Sequence, residues 1–175
     1  MELGILLWAA YLAVIAFLLW LVWPIIMGAM YMPTPHAVVE KMLDLAGVGP
    51  EDTVYDLGSG DGRIVIGAAE RGARAVGIEV DPIRVLWARR NAAASRAGRR
   101  VRIIWGDFFK NSVADATVVT VYQGEGINNR LRQKFEVELK PGSRVVSFSF
   151  KFDGWEIAEK HPDADIYLYR VPAKP

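Results

Sequence analysis

Apolar side chains run from Leu3 to Trp23 without a charge among them, and the first charged residue after Glu2 is Glu40. As a helix, this stretch rises ~1.5 Å per residue and reaches roughly 31 Å, close to the ~30 Å thickness of a bilayer's hydrocarbon core. It is apolar on every face, the pattern of a lipid-facing span rather than of a core helix. Trp8, Tyr11, Trp20 and Trp23 supply rings suited to a membrane interface. Pro24 is expected to kink or end the span, with the apolar stretch 25–32 extending it beyond the kink. A cleaved signal peptide would start with a basic segment and carry a shorter apolar core, whereas this chain starts Met-Glu. Lys41 is the first basic residue after the span, which by the positive-inside rule puts the remainder on the cytoplasmic side of a single-pass anchor.

From Thr34 the pattern changes to short strands alternating with helices. Thr34-Pro35 reads as an N-cap followed by proline at the first helical position. The helix it opens carries Val38, Val39, Met42 and Leu43 at helical spacing and stops near Gly47 to Pro50. Strands are expected at 53–56, 75–80, 101–105, 117–122 and 144–150, with helices at 63–71, 82–97 and 128–139. Segments 155–159 and 165–171 suit a closing hairpin. Such alternation predicts a mainly parallel α/β sheet, so the chain divides into an anchor over 1–32 and an α/β domain over 33–175.

Composition narrows the chemistry. The chain has 175 residues, 52% of them hydrophobic, and a mean hydropathy of +0.17, which excludes whole-chain disorder. Lys and Arg number 21 against 20 Asp and Glu, so no global basic charge advertises nucleic acid. There is no cysteine, hence no disulfide, thiolate metal site or Cys nucleophile. His36 and His161 are the only histidines and stand far apart, which argues against zinc. Between Ile83 and Gly106 there are seven arginines and no acid. A solvated helix face is the first reading of that run, contact with anionic headgroups the second, and RNA the third.

Candidate chemistry centres on Asp56-Leu57-Gly58-Ser59-Gly60-Asp61-Gly62-Arg63, between a strand and a helix. The first strand-to-helix turn of an open α/β sheet is where nucleotides bind. A dinucleotide fingerprint needs its third glycine one residue later, and a Walker loop needs Gly-Lys-Ser/Thr. Asp56 and Asp61 bracket the turn, and two carboxylates repel a pyrophosphate. They suit a ligand carrying an ammonium and a sulfonium, which is S-adenosylmethionine. Glu79 ends the second strand, where it would accept both ribose hydroxyls. Asp107 follows the third, where it would accept from the adenine amino group while Phe108 covers the ring. Singly, Glu79 or Asp107 reads first as a solvated strand-end carboxylate; the order of three such signals along the chain, each at a strand C-terminus, favours the cofactor instead.

The run 56–63, with Gly77-Ile78-Glu79 and Gly106-Asp107, resembles class I S-adenosylmethionine-dependent methyltransferases. More narrowly, Thr34-Pro35, Met42-Leu43, the same glycine run, the segment 138–147 and Gly154-Trp155 resemble small archaeal protein lysine methyltransferases and their membrane-anchored mitochondrial relatives. The resemblance covers about 32–155. It implies a Rossmann-like seven-strand sheet and cofactor binding through Gly58, Gly60, Glu79 and Asp107; Thr34, Asp56, Ser59, Asp61 and Phe108 complete the expected cofactor-binding set. It also implies methyl transfer to lysine side chains, with a protein as partner. Where that family tends to have an aromatic, leucines and an asparagine after the fourth strand, this chain reads Tyr122-Gln123-Gly124-Glu125-Gly126-Ile127-Asn128. The Asn/Asp-Pro-Pro-aromatic motif of many amino-directed methyltransferases is missing.

A lysine acceptor must lose a proton held at a reference pKa of ~10.4, and a dry aromatic site favours the neutral amine. Tyr122 is expected either to orient that amine or to cap the core at a strand end. Asn128 is expected either to hold a backbone or amide partner nearby or to serve as a helix N-cap. Glu125 lies on a glycine loop and is a poor general base. Two alternatives keep the anchor: methyl transfer to a lipid or quinone headgroup, and a non-catalytic tethered binding module.

Overall fold

A computed structural model describes residues 2–26 and 32–173. The chain divides into two compact units, Met1–Met32 and Pro33–Pro175. The first holds one helix, α1 (Glu2–Ile26). Its window Glu2–Leu19 has a mean hydropathy of 2.2, long and apolar enough to cross a membrane. Pro24 lies inside α1 rather than ending it. Near a helix C-terminus proline removes a single backbone bond, which the turn before it survives. The expected extension over 27–31 lies outside the described residues.

The second unit is a seven-stranded sheet in the order β3-β2-β1-β4-β5-β7-β6. Its strands are β1 (Thr53–Leu57), β2 (Arg74–Glu79), β3 (Val101–Trp105), β4 (Val118–Val121), β5 (Arg144–Phe148), β6 (Glu159–Lys160) and β7 (Ile166–Arg170). The first five pair in parallel. β7 is antiparallel to both β5 and β6, forming the expected hairpin with a β6 of only two residues. The central strands read almost continuously apolar, as strands covered on both faces must. One face is packed by α2 (His36–Leu45), α3 (Arg63–Glu70) and α4 (Pro82–Ala94), with Met42, Leu43, Val65, Ala68 and Ala88 buried among them. The other face is packed by α5 (Glu125–Glu138), whose Leu131 and Phe135 are fully buried.

Several boundaries differ from the sequence reading. The strand expected over 144–150 ends at Phe148, where Ser149 turns to positive φ. The N-cap of α2 is Pro35, and no side chain caps it. Thr34 is instead buried one residue upstream, its carbonyl accepting from Arg63 Nη1 at 2.7 Å. α4 ends at Ala94, because Ser95 turns extended and its Oγ bonds back to the Ala92 carbonyl. α5 starts three residues earlier than expected, with Gly124 as its N-cap, so Asn128 is an interior helical residue and not a cap.

The N-terminal ends of the strands are stapled by Asp52. Thr117 Oγ1 donates to it at 2.7 Å, and the Arg144 guanidinium donates to it as well. Arg144 Nη1 also donates to the carbonyls of Ala46 at 2.5 Å and Gly47 at 3.2 Å. The strand order switches between β1 and β4, and in open α/β sheets ligands bind at the C-terminal strand ends beside that switch.

Candidate active site

β1 delivers Asp56 to the C-terminal edge beside Thr120 of β4 and Gly77 of β2, its partners in register. The carboxyl is buried and accepts from Thr120 Oγ1 at 2.8 Å. Burial pushes it up to about 7; the Thr120 hydrogen bond works against the rise, and the neighbouring Glu79 and Asp61 charges add to it. In the ligand-free protein, this acid therefore favours folding in its neutral form. Its contribution is complete below about pH 4 and is lost as pH rises through 7, on the order of a few kcal/mol. Thermal melts of wild type and Asp56→Asn check this. The variant should gain stability relative to wild type between pH 4 and 8, and parallel curves would refute the assignment.

After Leu57 the chain turns through Gly58, Gly60 and Gly62 at φ 85°, 54° and 85°, the left-handed region that L side chains rarely enter. The Gly58 and Ser59 N–H groups donate to the Ile78 carbonyl at 2.9 and 3.1 Å, which lays the loop along β2. A Cβ on Gly77 would come within 2.6 Å of Ser59 Oγ, so the close approach depends on that glycine. Ser59 Oγ is buried with no hydrogen-bond partner among the described residues.

Glu79, at the end of β2, locks this arrangement. It is 3% exposed. One carboxylate oxygen accepts from Gly60 N–H at 2.8 Å and the other from Asp81 N–H at 2.9 Å. Asp81 in turn caps α4 by accepting from Ile83 N–H at 2.8 Å. Each Glu79 oxygen retains a second lone pair for a further donor.

Asp61 is gripped by Arg63 through Nε at 2.9 Å and Nη2 at 2.6 Å. Burial pushes its carboxyl up, but the Arg63 bonds and charge outweigh this and hold it below the usual range. Arg63 thereby joins Thr34 to the glycine loop. At β3, Trp105 is the register partner of Glu79. Two residues on, Asp107 Oδ1 accepts from Phe109 N–H at 2.8 Å, and the half-buried Phe108 packs on Phe109 at 4.8 Å between ring centres. Among the described residues, no hydrogen bond ties Asp107 or Phe108 to the Glu79–Gly60 cluster.

Across the crevice, Tyr122 follows β4, its ring 4.6 Å from Phe148 and 6.2 Å from Phe150. Those two flank Ser149, the one described non-glycine residue with positive φ, at 65°. Asn128, fully buried in α5, holds this strained turn: its Nδ2 lies 3.3 Å from Ser147 Oγ and 3.2 and 3.3 Å from the carbonyls of Phe150 and Lys151. Tyr122 and Asn128 thus meet through one turn. Gln123 Nε2 donates to the Leu57 carbonyl at 3.0 Å and closes over Gly58.

The sequence reading missed Thr120, Arg63 and Gln123 as parts of the site, along with the Phe148–Phe150 turn. Thr120 carried a signal, being the one hydroxyl in the apolar strand Val118–Val121; the turn carried none.

The model of the ANTKMT methyltransferase domain matches residues 56–159, from the carboxylate of β1 to the start of β6. The chain belongs to the ANTKMT methyltransferase domain family. A protein-lysine N-methyltransferase of Saccharolobus islandicus (strain REY15A) is 41% identical over 149 residues, spanning 81% of this chain and 92% of that relative. The adenine nucleotide translocase lysine N-methyltransferase of Mus musculus is 35% identical over 134 residues, spanning 76% of this chain and 58% of the mouse protein. This chain therefore matches less than two thirds of that longer relative. A crystal structure titled as an RNA methyltransferase from Salinibacter ruber, in complex with S-adenosyl-L-homocysteine, superposes with a TM-score of 0.77 at 42% identity. It covers 81% of this chain and 94% of that one. As an ANTKMT-family domain on this fold, the chain is an S-adenosylmethionine-dependent methyltransferase. Its donor set fits such a cofactor: acids end β1 and β2, a third follows β3, and Ser59 offers an unpartnered buried hydroxyl beside the loop.

Proposed function

We propose that the protein methylates lysine side chains of proteins and is held to a membrane by α1. The observation that carries the lysine reading is the aromatic wall of Tyr122, Phe148 and Phe150, at the C-terminal ends of β4 and β5 and beside the strand that bears Asp56. Ring faces attract an ammonium group by their quadrupole, and an apolar lining favours its neutral form. The names of the Saccharolobus and mouse relatives support the same acceptor.

Asp56 and Asp61 would face the cofactor's cationic groups, with Arg63 holding both Asp61 and the Thr34 carbonyl ahead of α2. Gly58, Ser59 and Gly60 would give it backbone and hydroxyl contacts. Glu79 would accept from the ribose hydroxyls, Asp107 from the adenine amino group, and Phe108 would cover the ring. When bound, S-adenosylmethionine supplies a methyl group already activated by the adjacent sulfonium. The protein's own work is then to position the amine and exclude water. Tyr122 orients the amine through its ring and hydroxyl, and Asn128 is a positioning residue that keeps Phe148 and Phe150 against it.

Tyr122→Ala should lower kcat/KM for the acceptor roughly 2- to 30-fold, the range of a cation–π contact of ~0.5–2 kcal/mol, with cofactor affinity unchanged. Tyr122→Phe should retain most activity if the ring carries the effect. Weakened cofactor binding by Tyr122→Ala would count against an acceptor role.

The deciding experiment uses methyl-labelled S-adenosylmethionine, the full chain, and membrane and soluble fractions of the source cells. Label recovered as methyl-lysine after protein hydrolysis supports the reading. Label in the RNA fraction or in the lipid extract moves the acceptor and overturns it. The anchor is tested by alkaline carbonate extraction, which should leave the full chain in the membrane pellet; release into the supernatant would sink that part alone.

A further inference from the structure

The flank of the second unit formed by α4 and β3 carries an unusual surface. α4 buries Val85, Ala88 and Ala92 and turns Leu86 and Trp87 outward at 63% and 52% exposure. Trp105, 65% exposed at the end of edge strand β3, lies over the turn into α4, its Nε1 donating to the Val80 carbonyl at 3.0 Å. Arg90, one turn beyond Leu86 and Trp87, and Arg96 and Arg99, just past the helix, are exposed. Their guanidinium groups make no hydrogen bond or ion pair among the described residues. Arg84, Arg89 and Arg100 are otherwise engaged, with Asp81, the Ile103 carbonyl and the Gly72 carbonyl respectively.

Exposed aliphatic and indole groups on the same flank as unpaired arginines, with no acid between Ile83 and Gly106, select an anionic partner with an apolar layer beneath its charge. A second copy of the same face would bring arginine against arginine. An RNA strand would use the arginines and indoles but leave Leu86 without a counterpart. An anionic bilayer uses all three: indoles at headgroup level, leucine below them, guanidinium groups on phosphates. We propose that this flank binds the surface of an anionic phospholipid bilayer. The assignment rests on the α4–β3 surface and does not depend on α1 or on the methyl acceptor.

Because the chain has no cysteine, single probes can be placed cleanly. Leu86→Cys and Val137→Cys, the latter 74% exposed on α5 across the sheet, are labelled with an environment-sensitive fluorophore in the full chain. Both are reconstituted with vesicles containing doxyl-quencher lipid, made of phosphatidylcholine alone or with added phosphatidylglycerol. The Leu86→Cys probe should be quenched at least about twofold more in the anionic vesicles, an excess that high salt removes. Combining Arg90→Gln, Arg96→Gln and Arg99→Gln should abolish the excess, while the Val137→Cys probe stays in water throughout. A Leu86→Cys probe that remains in water, or equal quenching at both positions, overturns the proposal. So does shielding of the Leu86→Cys probe by a single-stranded RNA oligomer where vesicles leave it exposed. Both substituted positions are solvent-facing, and circular dichroism verifies the fold.

Discussion

Glu79→Ala should reduce S-adenosylmethionine affinity by at least roughly 30-fold, and methyl transfer at subsaturating cofactor with it. The carboxylate bonds both Gly60 N–H and Asp81 N–H, and its residue is 3% exposed. Truncation leaves two buried donors without an acceptor, at ~1–3 kcal/mol each. The ordered loop then competes with conformations that hydrate Gly60. Since about 1.4 kcal/mol is tenfold in affinity, the lower end of that combined cost already gives the stated loss, before any ribose contact is counted. Glu79→Gln should fall between, because its amide keeps one acceptor oxygen but turns a donor toward the other N–H. Isothermal titration with S-adenosylmethionine decides the matter. Unchanged binding by a folded Glu79→Ala protein would show that the carboxylate neither shapes the loop nor meets the cofactor.

Phe135→Ala is expected to cost ~3–5 kcal/mol, the range for a buried aromatic truncated to alanine. At roughly 2–4 °C per kcal/mol for a domain of this size, the melting temperature should drop by about 6–20 °C. Phe135 is fully buried, with Phe152 and Trp155 at 6.0 and 6.4 Å. Phe152 in turn packs on Tyr169 of β7 at 5.3 Å, edge to face. One ring therefore joins α5 to the segment after β5 and to the antiparallel strand. The two rings against Phe135 are themselves held by Tyr169, so the cavity term should persist. A shift of under about 2 °C would mean that the cluster collapses around the vacancy.

These two residues also mark what could be read from the chain alone. Glu79 was legible because the order of strand, glycine turn, strand and acid is local, and each link is set by near neighbours in sequence. The same holds for the sheet, whose parallel core followed from apolar runs of strand length separated by helical ones. The partners of Tyr122 were not legible. Phe148 and Phe150 reach it from another strand, and Ser149 sits at φ 65°, a conformation that nothing in Ser147-Phe148-Ser149-Phe150 announces. Its partners are distant: Asn128, about twenty positions upstream, lies against the Phe150 and Lys151 carbonyls, and Ser149 N–H donates to the Asp165 carbonyl. Asn128 itself looked like a helix start because asparagine commonly caps, and the competing start at Gly124 has no side chain to signal it. Thr34 misled for the same reason: threonine before proline has a local meaning, while the demand of Arg63 for its carbonyl comes from 29 residues away.

That grip has a mechanical consequence. The backbone enters the second unit at Pro33, and one residue later its carbonyl is held by Arg63, whose other nitrogens hold Asp61 next to Gly60. Among the described residues of the second unit, the first hydrogen bond that tension on the leading segment meets is to a guanidinium whose far side is bonded to the glycine loop. A force on the leader thereby has a short route to the place where Gly60 is positioned.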